Sequence, residues 1–115
     1  MKEIKKLSEV VTHSPLHIII TDPEGTIEYV NPAFCKLTGY SWEEVIGKNP
    51  RILQSGETPI MVYKDLWNTI LSGKIWKGEF KNKKKDGTLF FESTTISSSM
   101  DSEGAITHFV AVKED

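Results

Sequence analysis

The sequence predicts an α+β domain, an antiparallel sheet of five strands with short helices gathered on one face. Two extended segments come early and three more close the chain, while the strongest helix signals lie between them. With 115 residues, 38% of them hydrophobic and 26% charged, the chain fits one domain with one core.

Residues 2–12 carry Ile4, Leu7, Val10 and Val11 at a helix-like spacing among charges. Residues 1–12 are therefore expected to form an N-terminal amphipathic helix, and 13–115 the domain proper. Leu16-His17-Ile18-Ile19-Ile20 is apolar and β-branched, the turn Asp22-Pro23-Glu24-Gly25 follows, and Thr26 to Val30 resumes the extended pattern, so 16–30 reads as a hairpin. Asn31 can cap a short helix that has Pro32 at its first position and ends near Gly39. Ser41-Trp42-Glu43-Glu44 is a capping-box pattern for a second helix, closed by Gly47.

The clearest helix runs from Thr58, read as its N-cap, to about Leu71. Tyr63, Leu66, Trp67, Ile70 and Leu71 make its apolar stripe, and Ser72-Gly73 ends it. Asp65 on this helix reads as solvated. Strands follow at 75–82, 88–98 and 105–113, separated by the turn signals Lys84-Lys85-Asp86-Gly87 and Asp101-Ser102-Glu103-Gly104.

If 83–87 is the first of these loops, Asn82 faces Thr88, Phe80 faces Phe90 and Trp76 faces Thr94. If 101–104 is the second, Ile96 faces Phe109, Thr94 faces Ala111 and Glu92 faces Lys113. Period-two alternation then puts Trp76, Phe80, Asn82, Phe90, Glu92, Thr94, Ile96, Phe109, Ala111 and Lys113 on one inner face. Asn82, Glu92 and Lys113 gather at one end of it, where polar ligand contacts are expected. The outer face carries Ile75, Phe91, Val110 and Val112, too apolar to stay bare; the N-terminal helix together with a second copy of the chain is expected to cover it.

Composition narrows the function. A net charge of −2 gives no reason to expect a nucleic-acid partner, and the cluster Lys81, Lys83, Lys84 and Lys85 reads as a solvated hairpin tip. One cysteine, Cys35, fits a reducing compartment. The start Met-Lys-Glu-Ile is no signal peptide and no apolar run approaches a membrane span, so the expected location is cytoplasmic, without membrane contact by this domain. No G-x-S-x-G, phosphate-binding loop or dinucleotide fingerprint occurs, and no His/Cys/Asp cluster has metal-ligand spacing. A non-catalytic module is therefore expected.

Particular runs carry a family resemblance. Thr21-Asp22-Pro23-Glu24-Gly25, Tyr29-Val30-Asn31-Pro32-Ala33-Phe34, Leu37-Thr38-Gly39-Tyr40, Glu43-Glu44-Val45-Ile46-Gly47-Lys48-Asn49, Trp76-Lys77-Gly78-Glu79, Lys84-Lys85-Asp86-Gly87-Thr88 and the ending from Gly104 to Asp115 together resemble a PAS domain over about residues 8–115. The resemblance implies the same five-stranded fold. It also implies a sensory module of a larger signalling protein, most often a sensor histidine kinase, that binds a small ligand or a partner domain. Such a module passes a change through its sheet to a C-terminal effector; Asp115 resembles the first residue of the family's exit motif, so the chain is expected to continue into an effector absent here.

Asn49-Pro50-Arg51-Ile52-Leu53-Gln54 resembles the flavin segment of the light-sensing LOV subgroup, but Pro50 stands where that subgroup has its adduct-forming Cys. Redox-sensing flavin PAS domains of nitrogen-fixation and methane-oxidation regulators, which do not use that Cys, are similar around Gly47-Lys48-Asn49, Ile52-Leu53, Thr58-Pro59, Trp67, Trp76 and Asn82. The resemblance makes flavin the leading specific cofactor, with Asn49, Arg51, Gln54, Trp76 and Asn82 as contacts. Two further flavin-edge positions fall on Glu92 and Lys113, which on the inner face can instead pair with each other and partly replace the cofactor. With Thr94 beside them, the candidate site set is Asn49, Arg51, Gln54, Trp76, Asn82, Glu92, Thr94 and Lys113. Haem is disfavoured because His13, His17 and His108 all lie outside the helical middle. A ligand-free dimerisation module is the remaining alternative.

Overall fold

The structure, a computed structural model, describes residues 16–114; the expected N-terminal helix lies outside the described residues. Five strands form one antiparallel sheet: β1 (His17–Thr21), β2 (Ile27–Val30), β3 (Trp76–Lys83), β4 (Leu89–Met100) and β5 (Ile106–Glu114), in the order β2-β1-β5-β4-β3. Between β2 and β3 come α1 (Pro32–Thr38), α2 (Trp42–Val45), a 3-10 turn (Pro50–Leu53) and α3 (Ile60–Leu71). The first and last strands of the chain meet at the sheet's centre, where Ile19 pairs with Ala111 and His17 with Lys113.

Two of the local signals act as expected. Asn31 caps α1 by accepting from the Phe34 N–H at 3.1 Å. Its side chain also accepts from the Ile18 N–H at 3.0 Å and donates to the Leu16 carbonyl at 2.7 Å, tying α1 to β1. At α2 the Ser41–Glu44 capping box is complete. Lys85, and after it Ser41, hold the Glu44 carboxyl below the usual glutamate range.

Thr58 departs from its expected role. Helix α3 begins at Ile60 with Pro59 at the cap position and no side-chain cap. The Thr58 hydroxyl instead accepts from the Lys81 N–H at 2.9 Å, stitching the loop to β3. Of the expected α3 stripe, Leu66 and Ile70 are buried, Trp67 is partly exposed with its ring edge-on to Phe109, and Leu71 is largely exposed.

Strand register differs from the sequence expectation by two residues in both closing hairpins. Asn82 faces Phe90, Phe80 faces Glu92 and Trp76 faces Ile96. The tip explains the shift: Lys84 donates to the Thr88 carbonyl at 2.8 Å and Gly87 takes φ +90°, so the tight loop is 85–87 rather than 83–87. In the second hairpin Thr94 faces Lys113, Ile96 faces Ala111 and Ser98 faces Phe109. Here the Asp101 N–H bonds to the Ala105 carbonyl, and an irregularity between Ser99 and Met100 adds the second residue of shift. An even shift keeps every side chain on its expected face.

The helices cover the inner face. Ile19, Ile27, Val30, Phe34, Val45 and Leu53 form one buried cluster under α1 and α2. Leu66, Ile70, Trp76, Phe80, Ile96 and Phe109 form another under α3, and Ala111 touches both. On the outer face Ile18 and Ile20 are buried, Val110 and Val112 half-buried, and Ile75 and Phe91 exposed. His108 is also buried on that face, its Nε2 3.3 Å from Glu28. Three of the four lysines of the basic cluster at the β3–β4 hairpin are paired or stacked: Lys85 pairs with Glu44, Lys81 with Glu57, and Lys84 lies over Phe90.

Asn31→Ala removes the α1 cap and leaves a buried N–H of β1 without its acceptor. The expected loss is about 2–3 kcal/mol of unfolding free energy in urea denaturation, against about 1 kcal/mol for a cap alone.

Candidate functional site

The site is built where the 3-10 turn and α3 stand off the inner face. Asn49 accepts from the Arg51 N–H at 2.9 Å, capping the 3-10 turn and setting Arg51 at its first turn. The chain then crosses to the sheet, where Gln54 makes an isolated bridge with Asn82 on β3. Across the gap Gly25 turns at φ +87°, a left-handed conformation that favours glycine, and a Cβ there would sit 3.2 Å from Asn49 Nδ2, which would have to give way slightly.

These elements border a cavity of about 130 Å³ that is partly open to solvent. Its walls are apolar, with Ile19, Leu66, Ile70, Phe80, Ile96, Phe109 and Ala111 among the lining residues. Asn49, Arg51, Gln54, Asn82 and Lys113 are among the polar residues of the lining. Trp76, Glu92 and Thr94, also in the expected set, do not line it.

Trp76 has a framework role. Its indole lies along β3 over Gly78, where an added Cβ would sit 2.4 Å from the ring, and stacks on Phe80 with centroids 5.2 Å apart. Its Nε1 donates to Asp65 Oδ2 at 2.9 Å, so Asp65 anchors α3 to the sheet rather than standing free in solvent.

Glu92 centres a buried polar cluster behind the cavity. Its Oε2 accepts from Asn82 Nδ2 at 2.7 Å and from Lys113 Nζ at 3.2 Å. Glu92 is 1% exposed and Lys113 5%, and the ammonium also lies 5.4 Å from the Phe80 ring centroid. The expected ion pair therefore exists, but diagonally: Lys113 stands opposite Thr94, and Phe80 opposite Glu92. His17, absent from the expected set, joins through Nδ1 at 3.7 Å from Glu92 Oε1. Its signal in the sequence was a polar residue opening an otherwise apolar strand. Placing it needed the β1–β5 pairing, which sets His17 against Lys113. His17 Nδ1 and Thr94 Oγ1 are buried without a hydrogen-bond partner among the described residues.

Cys35 is half-buried on α1, away from the cavity lining, and burial pushes its thiol upward from the ordinary value. No group of three metal-ligating side chains occurs among the described residues. None of the described helices is long and apolar enough to cross a membrane.

Lys113→Met leaves the buried Glu92 carboxylate with the Asn82 amide and with His17 3.7 Å away, and should cost about 3–5 kcal/mol of stability. Replacing both partners, Glu92→Leu with Lys113→Met, should recover most of that loss in urea denaturation. A single-variant cost below about 1 kcal/mol would show that the pair contributes no more than an exposed one.

A family model for the PAS fold matches residues 5–115. The chain is 35% identical over 106 residues to the nitrogen fixation regulatory protein of Klebsiella oxytoca, covering 92% of this chain and 21% of that protein. It is 36% identical over 93 residues to a blue-light-activated histidine kinase of Brucella canis, covering 81% of this chain and 19% of that protein. The chain thus spans about a fifth of the length of these curated relatives. Among solved structures it superposes on an RNA-binding light-oxygen-voltage receptor with a TM-score of 0.88 and 27% identity, covering 97% of this chain and 32% of that one. A light-oxygen-voltage domain studied with a flavin analogue gives a TM-score of 0.86 and 28% identity, covering 95% of this chain and 83% of that one. Sheet order, helical inner layer and family match agree: the chain belongs to the PAS family.

Proposed function

We propose that this PAS domain is the non-catalytic input module of a larger cytoplasmic signalling protein, most simply a sensor histidine kinase, and that it senses a small molecule held in the inner-face cavity. The observation carrying this reading is the cavity itself, apolar in its walls with a few convergent polar groups, as small-ligand sites are. The relative among histidine kinases supports the parent type. A route outward follows from Lys113, which lines the cavity, bonds Glu92 and lies near the end of β5. A ligand that draws its ammonium away from Glu92 alters the strand leading to whatever effector follows.

Flavin is the second reading, favoured by the donors Asn49, Arg51, Gln54 and Asn82 around the cavity and by the flavin-analogue neighbour. The donor set suits a flavin but the space does not. Pockets for ligands of that size run to roughly 300–1,000 Å³, against about 130 Å³ here. Asn82 also has one of its two side-chain N–H groups committed to Glu92. A flavin would enter only with outward movement of α3 or the 3-10 turn. The absorbance spectrum of the freshly purified protein separates the readings: no band near about 450 nm is expected, and a structured band there would establish flavin and displace the first reading.

The outer face supports a homodimer, since Phe91 is 62% exposed and Ile75 61% exposed on a sheet face with the half-buried Val110 and Val112 beside them. Phe91→Glu should shift sedimentation toward monomer with little change in the unfolding midpoint, because Phe91 is already in solvent within one chain. Unchanged sedimentation of a dimeric protein would place the interface elsewhere.

A further inference from the structure

We propose that the free edge of β3 pairs antiparallel with the same edge of a second copy of this chain, Gly78 lying on the twofold axis and Lys77 facing the second copy's Glu79. This contact is separate from the outer-face interface and does not rest on it.

β3 borders the sheet, so one row of its backbone groups points away from β4. Lys81 shows which residues own that row. Its N–H donates to Thr58 Oγ1 at 2.9 Å and its carbonyl accepts from the Ser55 hydroxyl, so both groups face the loop rather than β4. β3 pairs with β4 without irregularity. The backbone groups of Lys77 and Glu79 therefore point outward as well, and those of Trp76, Gly78 and Phe80 point to β4. The loop closes the edge at Lys81 and Asn82. Nothing among the described residues bonds the outward groups of Lys77 or Glu79.

A bare edge invites any extended chain, and charged side chains guard against that. Here the charges are of both signs. Lys77 and Glu79 are exposed, share one face of the strand, and have no ion-pair partner among the described residues. Two such edges exchange hydrogen bonds only between outward-pointing residues, which leaves three registers within the bare stretch. Centring on Lys77 sets lysine against lysine, and centring on Glu79 sets glutamate against glutamate. Centring on Gly78 sets each lysine against a glutamate, and both pairs are hydrogen-bonded. Opposite charges directly across a ladder stabilise it and like charges oppose it, so the charges select this register.

Gly78 suits the axis. At a pair without hydrogen bonds the chains approach to a Cα separation of about 4.5 Å, and Gly78 brings no side chain to that crossing. A Cβ on Gly78 would also meet its own Trp76 indole at 2.4 Å. The contact is isologous and closed, leaving none of this edge for a third chain. It is also short, so association is weak and depends on concentration.

Sedimentation equilibrium at rising concentration tests the proposal in the Phe91→Glu chain, where the outer face does not contribute. That chain should self-associate below about 1 mM, less so at high salt. Adding Lys77→Glu or Glu79→Lys sets like charges at both pairs and should weaken association about tenfold or more. An equimolar mixture of these two charge-reversed chains should recover it, as should both reversals in one chain. Lys48→Glu, an equal change of charge beside β2 at the opposite border of the sheet, should leave association as it was. Circular dichroism checks that each variant keeps the sheet. No self-association of Phe91→Glu, indifference to either reversal, a mixture no tighter than its components, or an equal effect of Lys48→Glu overturns the proposal. The outer-face reading fails on a different result, unchanged sedimentation of Phe91→Glu against the wild type.

Discussion

A buried carboxylate governs the inner face of this sheet. Glu92 is almost fully withdrawn from water in the first half of β4, where an ionised group without partners costs more than most other features of a small domain contribute. Its partners come from both neighbouring strands, Asn82 on β3 and Lys113 on β5, and His17 approaches from β1. Four strands are thus committed to one arrangement around one charge. The register of both closing hairpins serves that commitment, since a slip of one residue would turn Glu92 out of reach of its partners.

The same cluster links the cavity to the end of the chain. Lys113 belongs to both: it lines the cavity and its ammonium bonds Glu92. Asn82 is shared in the same way, lining the cavity while donating to Glu92 and bridging Gln54 through its backbone. A group entering the cavity therefore meets side chains whose other bonds are already in use. Rearranging them has a cost that only a ligand with matching polar chemistry offsets.

The wall opposite the sheet depends on close contact rather than on charge. Gly78 lets the Trp76 indole lie flat on β3, and the indole N–H holds Asp65 of α3. Phe80 is stacked between Trp76 and Tyr63. That aromatic stack fills the end of the inner face under α3 and leaves the smaller Ala111 at the centre, where the two buried clusters meet. The cavity is the space those choices leave.

Much of this was legible in the residues themselves. Asn31, Pro32, Ser41 and Glu44 mark helix starts because a cap is a contact between residues two to four apart. The inner and outer faces follow from period-two alternation, which needs only neighbours along one strand, and ordered runs such as Asn31-Pro32-Ala33-Phe34 carry the family. Thr58, Asp65 and His17 were not legible in their roles, for each is set by a strand or helix many residues away: Lys81 for Thr58, Trp76 for Asp65, Glu92 and Lys113 for His17. Register likewise turned on the positive φ of Gly87 and on an irregularity beside Ser99, each a choice among turn geometries that the same residues permit. The elements, their faces and the family could be read from the residues, because they rest on short-range sterics and hydrogen bonding. Which polar groups share one buried charge, and how much space remains beside them, emerged with the packed fold, because both depend on how distant side chains meet.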